Sequence, residues 1–321
     1  MHEAGPAREN AGVLLPSGIP AGQLVSYVRK AERLGFAEVW VAEDCFRHGG
    51  FAQAATVLAS TRSLHVGLGI APAAARNVVF AAMEVATLAE LHPGRLTVGV
   101  GHGMPGWLGR AGAWPSSPLT LLGEYIQALR QLLTGQRVDY GGRYVRLRDA
   151  RLVHPPSVVP PVLAGVRGPR SLRLSGEVAQ GTVLAEPVTP EYLSAAAARI
   201  AATDHEIVAY NIASVDDDPA VARDRARGAL AIAGEPDWRA HVAVLDFAAQ
   251  LAGLRRATGS AAAFAAALPD GWVDRLAIVG TPRRAREQLA VLRQGGASRT
   301  VLIPAYPDPH AALDSLARLL S

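Results

Sequence analysis

The chain has 321 residues, 50% hydrophobic and 19% charged, with a formal net charge of +4; that balance suits a well-buried globular protein and excludes a disordered one. No apolar run reaches the ~18 residues of a membrane span, and Met1–Asn10 mixes charges with Gly and Pro where a signal peptide would have an apolar core. The single cysteine, Cys45, excludes an internal disulfide framework and a Cys-only zinc cluster, and makes a reducing cytoplasm the expected setting. Strand and helix signals then alternate along the chain. Gly12–Ser17 is an apolar run ending in turn residues, and Gln23–Leu34 has Leu24, Val28, Ala31 and Leu34 at helical spacing before Gly35 stops it. Next come a strand at Glu38–Glu43, a helix around Phe51–Ser60, a strand at His65–Ile70, a helix at Val78–Leu91 and a strand at Leu96–Gly101. These strands are near-continuous apolar runs, the pattern of strands covered on both faces by helices.

Gly103–Pro118, rich in Gly and Pro and carrying Trp107 and Trp114, interrupts the rhythm as an ordered loop. A helix spans about Leu119–Leu133, and Arg137–Tyr140 and Arg143–Leu147 alternate around Gly141-Gly142 as a hairpin. The alternation resumes with strands at Pro161–Val166, Thr182–Glu186 and Glu206–Val215, separated by helices at Arg170–Val178 and Pro190–Ala202. Asp216-Asp217-Asp218-Pro219 then caps an Ala-rich helical region. A strand at Ala277–Gly280, a helix near Pro282–Leu292, a strand at Arg299–Pro304 and a helix to Leu320 end the chain. Eight βα units with right-handed crossovers and no linker between them predict a single (β/α)8 TIM barrel over residues 1–321, with insertions near 103–118, 137–156 and 235–275. A doubly wound open sheet is the alternative.

In a barrel, chemistry sits where strands end. Those positions are Pro16-Ser17, Glu43-Asp44, Ile70-Ala71, Gly101-His102-Gly103, Val166-Arg167-Gly168, Glu186 and Asn211. Glu43 and Asp44 are adjacent acids, of which only one can point inward; a carboxylate there is a candidate proton donor or acceptor, and the alternative is helix capping or pairing with arginine. Gly101–Gly106 fits G-x-G-x-x-G but lies on a late strand and opens into a Pro- and Trp-rich loop, so it is no dinucleotide fingerprint. Its glycines allow close approach of a flat ligand, or tight packing alone. Gly165-Val166-Arg167-Gly168-Pro169-Arg170 ends a strand and opens a helix, placing free N–H groups and two guanidiniums together as an anion site. Other chemistries lack their residues. Lys30, the single lysine among 32 basic residues, sits mid-helix and reads as exposed, which leaves no P-loop and no Schiff-base site elsewhere. The arginines alternate with acids, so no nucleic-acid footprint forms, and no histidines stand at metal-ligand spacing. A G-x-S-x-G elbow is missing, and a glycosidase pair would have only Glu43 and Glu186.

LGFAEVWVAED (34–44), LASTRSLHVGLGIAP (58–72), ATLAELHPGRLTVGVGHG (86–103) and PPVLAGVRGPRSLRLSGEVAQG (160–181) together resemble the bacterial-luciferase-like flavin and deazaflavin oxidoreductases. The branch most like it includes methylenetetrahydromethanopterin reductase, which uses coenzyme F420. The resemblance, over about residues 12–305, implies a TIM barrel and a cytoplasmic homodimer that pairs through helices 51–60 and 78–91. It implies hydride transfer between F420 and a small organic substrate; an FMN monooxygenase is the alternative, and a non-enzymatic barrel relative a second. Gly69, Ile70 and Ala71 fall where deazaflavin members carry a non-proline cis peptide that backs the ring. Gly101, His102 and Gly103 match the glycines beside the cofactor, and Gly165, Val166, Arg167, Gly168, Pro169 and Arg170 match the loop for the tail phosphate. Glu43 and Asp44 lie where relatives place an acid or histidine beside the ring, and with His102 they are the catalytic candidates. Gln180 departs from the Ala-Asp-Gly usual there, as a structural change. No metal, nucleic acid or membrane partner is implied.

Overall fold

The computed structural model describes residues 11–320; Met1–Asn10, read above as lacking a signal peptide, and Ser321 lie outside the described residues. Eight parallel strands follow the chain in order: β1 (Ala11–Leu14), β2 (Glu38–Val41), β3 (His65–Pro72), β4 (Leu96–Gly101), β5 (Val162–Gly165), β6 (Gly181–Leu184), β7 (Glu206–Val215) and β8 (Arg299–Pro304). Each pairs with the next, and β8 pairs with β1. The sheet is therefore a closed TIM barrel. Helices cover its outside, so both faces of each strand are buried and the strand sequences are largely apolar.

The helices form where the sequence supplies a stripe and a stop. In Leu24–Leu34 one face buries Leu24, Tyr27, Val28 and Ala31, and Gly35 ends the helix at φ 91°, a left-handed cap that costs other residues roughly 1–2 kcal/mol. Asp218 caps Pro219–Ala229 by accepting from the Ala220 N–H at 2.8 Å, the role read from the acidic run.

Inside the barrel, Trp40, Leu163, Val183, Val208, Tyr210 and Val301 form a separate cluster. The glycines of β1 and β3 make room for the Trp40 indole: a Cβ on Gly67 would lie 2.1 Å from Trp40 Cδ2, and one on Gly12 would lie 3.2 Å from Cδ1. Below it Trp40 Nε1 donates to Glu38 Oε2 at 2.7 Å, and Arg299 reaches both Glu38 and Glu206. The N-terminal end of the barrel is thus closed by a charged plug whose members satisfy one another.

Four expectations change. Ala277–Gly280 is not a stave: Ile278–Gly280 pairs only with Ala213–Val215, where β7 extends beyond the barrel. The hairpin pairs Val138–Gly141 with Arg146–Ala150, turning two residues later than the Gly-Gly signal suggested. A short helix, Pro105–Arg110, stands inside the Gly103–Pro118 loop. Lys30 is not free in solvent; its Nζ meets Asp314 Oδ2 at 2.7 Å and donates to the His310 carbonyl at 2.9 Å. Gln180 proves structural, its Oε1 accepting from the Val162 N–H at 2.9 Å.

Candidate functional site at the C-terminal end of the barrel

The strand ends converge on one mouth. After Gly69 the β3–β4 register shifts, and the Gly69–Ile70 peptide is cis, as the resemblance implies. The Ile70 side chain turns toward β4 and β5 and lies on their glycines. A Cβ on Gly165 would sit 2.2 Å from Ile70 Cγ2, and one on Gly101 would sit 2.9 Å from Cδ1. These glycines are therefore required first by Ile70, and the close approach read from sequence is an approach of the chain to itself. Gly103, at φ 70°, faces Leu108 of the short helix. The Tyr210 hydroxyl donates to the Gly69 carbonyl at 3.5 Å, fixing the ridge formed by Gly69, Ile70 and Ala71 from inside the barrel.

Beside this ridge starts the helix Pro169–Val178. Gly168 is its N-cap and no side chain caps it, so first-turn N–H groups face the mouth without a side-chain acceptor. His102 Nε2 lies 3.0 Å from Ser171 Oγ in that first turn, and its Nδ1 is buried without a partner. Burial pushes the His102 imidazole below its ordinary pKa against a backbone contact at Pro118, with Arg167 adding to the depression, so the ring is neutral at pH 7. The Arg167 guanidinium lies 4.4 Å over the Trp238 ring and donates to the Asp237 carbonyl at 3.3 Å. Arg170 is exposed at the helix start. The segment Gly165–Ser171 thus carries a helix N-terminus, a hydroxyl and two guanidiniums, an arrangement suited to a phosphate.

The acids divide by environment. Glu43 receives both Arg76 nitrogens at 2.7 Å and the Gly50 N–H at 3.2 Å, which makes it an anchor between β2 and the helix Gly50–Ser60. Asp44 is half-buried, and burial pushes its carboxyl up against the pull of Arg47. Glu186 follows β6, and burial pushes its carboxyl up to about 7; Asp44 adds to the rise, while its own backbone N–H and Arg167 oppose it. Asn211, the other strand-end position, spends its Oδ1 on the Val188 N–H at 3.0 Å. Among the described residues no three His, Cys, Asp or Glu stand close enough to hold a metal ion.

Sequence reasoning did not find Arg76, Ser171 or Trp238. Ser171 adjoins a loop already singled out and was within reach. Arg76 and Trp238 meet their partners across 33 and 71 residues, separations that carry no local signal.

A family profile described as luciferase-like monooxygenase matches residues 4–299. A 5,10-methylenetetrahydromethanopterin reductase from Methanolobus tindarius is 28% identical over 309 residues, covering 92% of this chain and 94% of its own. An F420-dependent glucose-6-phosphate dehydrogenase from Beutenbergia cavernae is 32% identical over 236 residues, covering 66% of this chain and 70% of its own. Among solved structures, the coenzyme F420 dependent tetrahydromethanopterin reductase from Methanopyrus kandleri superposes with a TM-score of 0.82 at 21% identity, covering 97% of this chain and 98% of that one. At that identity the likeness speaks for the fold, the same closed barrel.

Proposed function

The chain belongs to the luciferase-like monooxygenase family, and on that premise we propose that it is an oxidoreductase using coenzyme F420 to pass hydride to or from a small organic substrate. The observation that carries the reading is the phosphate-suited turn at Gly165–Arg170 lying directly beside the Gly69–Ala71 ridge. The two sequence relatives named above, a methylenetetrahydromethanopterin reductase and an F420-dependent glucose-6-phosphate dehydrogenase, support it. When bound, F420 supplies a ring carbon that gives or accepts hydride. The chain supplies the rest. Gly69, Ile70 and Ala71 back the ring, with Gly101, His102 and Gly103 beside it. Gly165, Val166, Arg167, Gly168, Pro169 and Arg170 hold the tail phosphate, while Ser171 orients neutral His102. Asp44 faces the reacting end, and Glu43 keeps the loop that carries Asp44 in place through Arg76.

The same proposal includes one luciferase-like domain over residues 1–321, a cytoplasmic setting and a homodimer. No helix among the described residues is long and apolar enough to cross a membrane. Phe80, Met83 and Leu91 support the dimer, at 64%, 48% and 67% exposure on the helix Val78–Leu91.

Titrating F420 and FMN separately into the purified protein, read by quenching of cofactor fluorescence, tests the cofactor. Tight binding of F420 over FMN is expected; binding of neither overturns the reading. Arg167→Ala should weaken F420 about ten- to a hundredfold, the worth of a charge-assisted hydrogen bond of ~1.5–3 kcal/mol.

A further inference from the structure

We propose that Glu186 is a catalytic residue of this oxidoreductase: it takes the proton from a substrate hydroxyl, or returns it, while hydride moves at the adjoining carbon. The inference rests on the F420 reading and adds a substrate class to it, a carbinol and its carbonyl.

Placement comes first. Glu186 stands two residues beyond β6 at the mouth of the barrel. The groups that act on its carboxyl come from around the ring: Asp44 after β2, Arg167 after β5 and, acted on in turn, the Tyr210 phenol of β7. The C-terminal end of a barrel strand is where catalytic groups stand in this architecture, and it is the end at which Tyr210 meets the Gly69 carbonyl. Glu186 therefore shares the barrel mouth with the ridge assigned to the cofactor ring.

Its main chain is clamped, while its carboxyl has its own backbone N–H as a partner and no arginine bound to it. Trp238 Nε1 donates to the Glu186 carbonyl at 2.6 Å, His241 Nδ1 lies 3.3 Å from the Pro187 carbonyl, and the Val188 N–H donates to Asn211. By contrast, among the described residues the Glu186 carboxylate enters no ion pair, whereas Glu43 and Glu38 are each tied to an arginine. An acid held rigidly by its backbone, half-buried and without an ion-pair partner, is arranged for proton transfer and not for stability. The other titratable groups around Arg167 are Asp237, Tyr192, His241 and His102; burial keeps both histidines neutral near pH 7. Asp44 holds the proton on Glu186 and Arg167 draws it off.

In the oxidising direction the substrate C–H bond breaks, and its hydrogen leaves with both electrons to the cofactor carbon. The O–H bond breaks, its electron pair becomes the second C–O bond, and the proton goes to the Glu186 carboxylate. The substrate loses two electrons and the cofactor gains two; reduction reverses each step. A preformed iminium carbon would need no such acid, since no proton moves at the substrate when it accepts hydride.

The test compares wild type with Glu186→Gln, which keeps size and one acceptor but cannot ionise. F420 binding is measured by fluorescence quenching, and turnover with isopropanol and with glucose 6-phosphate from pH 5.5 to 9. Wild type should oxidise at least one probe, with the rate rising through an inflection near neutrality. Glu186→Gln should bind F420 within twofold of wild type, lose that inflection and be slower by ~10²–10⁴. Glu186→Asp should recover part of the rate with a displaced inflection. A Gln variant within threefold of wild type and with the same inflection overturns the proposal, as does an F420-binding wild type that oxidises neither probe. A wild type that does not bind F420 overturns the cofactor reading, and this proposal with it.

Discussion

At the scale of single residues, the environment of Glu186 has a stability consequence of definite sign. Its carboxyl titrates at about 7 in the fold, against 4.5 ordinarily, so the folded state keeps a proton that the unfolded chain has already lost. Stability then falls as pH rises from 4.5 through 7, by at most roughly 3 kcal/mol. Glu186→Gln should therefore melt higher than wild type at pH 8 and alike at pH 5, in paired thermal melts. His241 carries the opposite dependence. Fully buried, its imidazole is pushed down to about 3 by burial and Arg167, against the contact with Pro187. The unfolded chain binds a proton below pH 6.5 that the fold refuses, so this residue makes acid destabilising. Between pH 7 and 5 the loss should be about 2 kcal/mol, and His241→Phe should flatten that limb of a urea-denaturation series. Neither shift was legible in sequence: Glu186 could be named as a strand end, but Trp238, which holds its carbonyl, and Asp44, whose charge adds to its shift, come from distant segments. The reading of Glu43 and Asp44 as alternatives held the right question. Only the geometry assigned Arg76 to Glu43.

At the scale of elements, the Gly-rich strand ends are one half of a fit whose other half is Ile70. Gly165→Ala would drive a methyl to 2.2 Å from Ile70 Cγ2, and neither β5 nor the ridge can move independently in a closed barrel. The expected cost is ~1–3 kcal/mol in chemical denaturation, with loss of cofactor quenching, because the Gly165 loop and the ridge shift together. Adding Ile70→Ala to Gly165→Ala should return most of the stability, since the overlap lies in that side chain. A double mutant no better than the single would show that Gly165 is needed for something other than Ile70. Strands and helices were readable because period and punctuation are local: Gly35 ends one helix and Asp218 opens another, as their residue types require. Ile278–Gly280 was misplaced for the same reason. Three apolar residues look alike whether they are a stave or a short extension beside Ala213–Val215.

At the scale of the molecule, strand count and crossovers sufficed for a closed barrel because eight βα units with right-handed connections leave few other solutions. What covers the outside is less constrained, and there the helix Val78–Leu91 stands apart. Phe80 and Leu91 are eleven residues apart, three turns, and so share one face, with Met83 beside them; all three are exposed. Ala81, Ala82, Val85, Ala86 and Ala89 already pack inward, so this outer stripe has no place in the core of the monomer. A stripe of large apolar side chains on one helix favours association with a second copy through the same face, which closes as a two-fold pair. Replacing Phe80 and Met83 together by Glu puts two charges of like sign from each copy against each other across that axis. Light scattering at micromolar concentration should show a dimer for wild type and a monomer for Phe80→Glu/Met83→Glu. F420 quenching should be retained, because the stripe lies on the outer surface while the Gly69–Ala71 ridge faces the barrel mouth. A wild-type monomer, or a double variant that stays dimeric, would move the interface away from this helix.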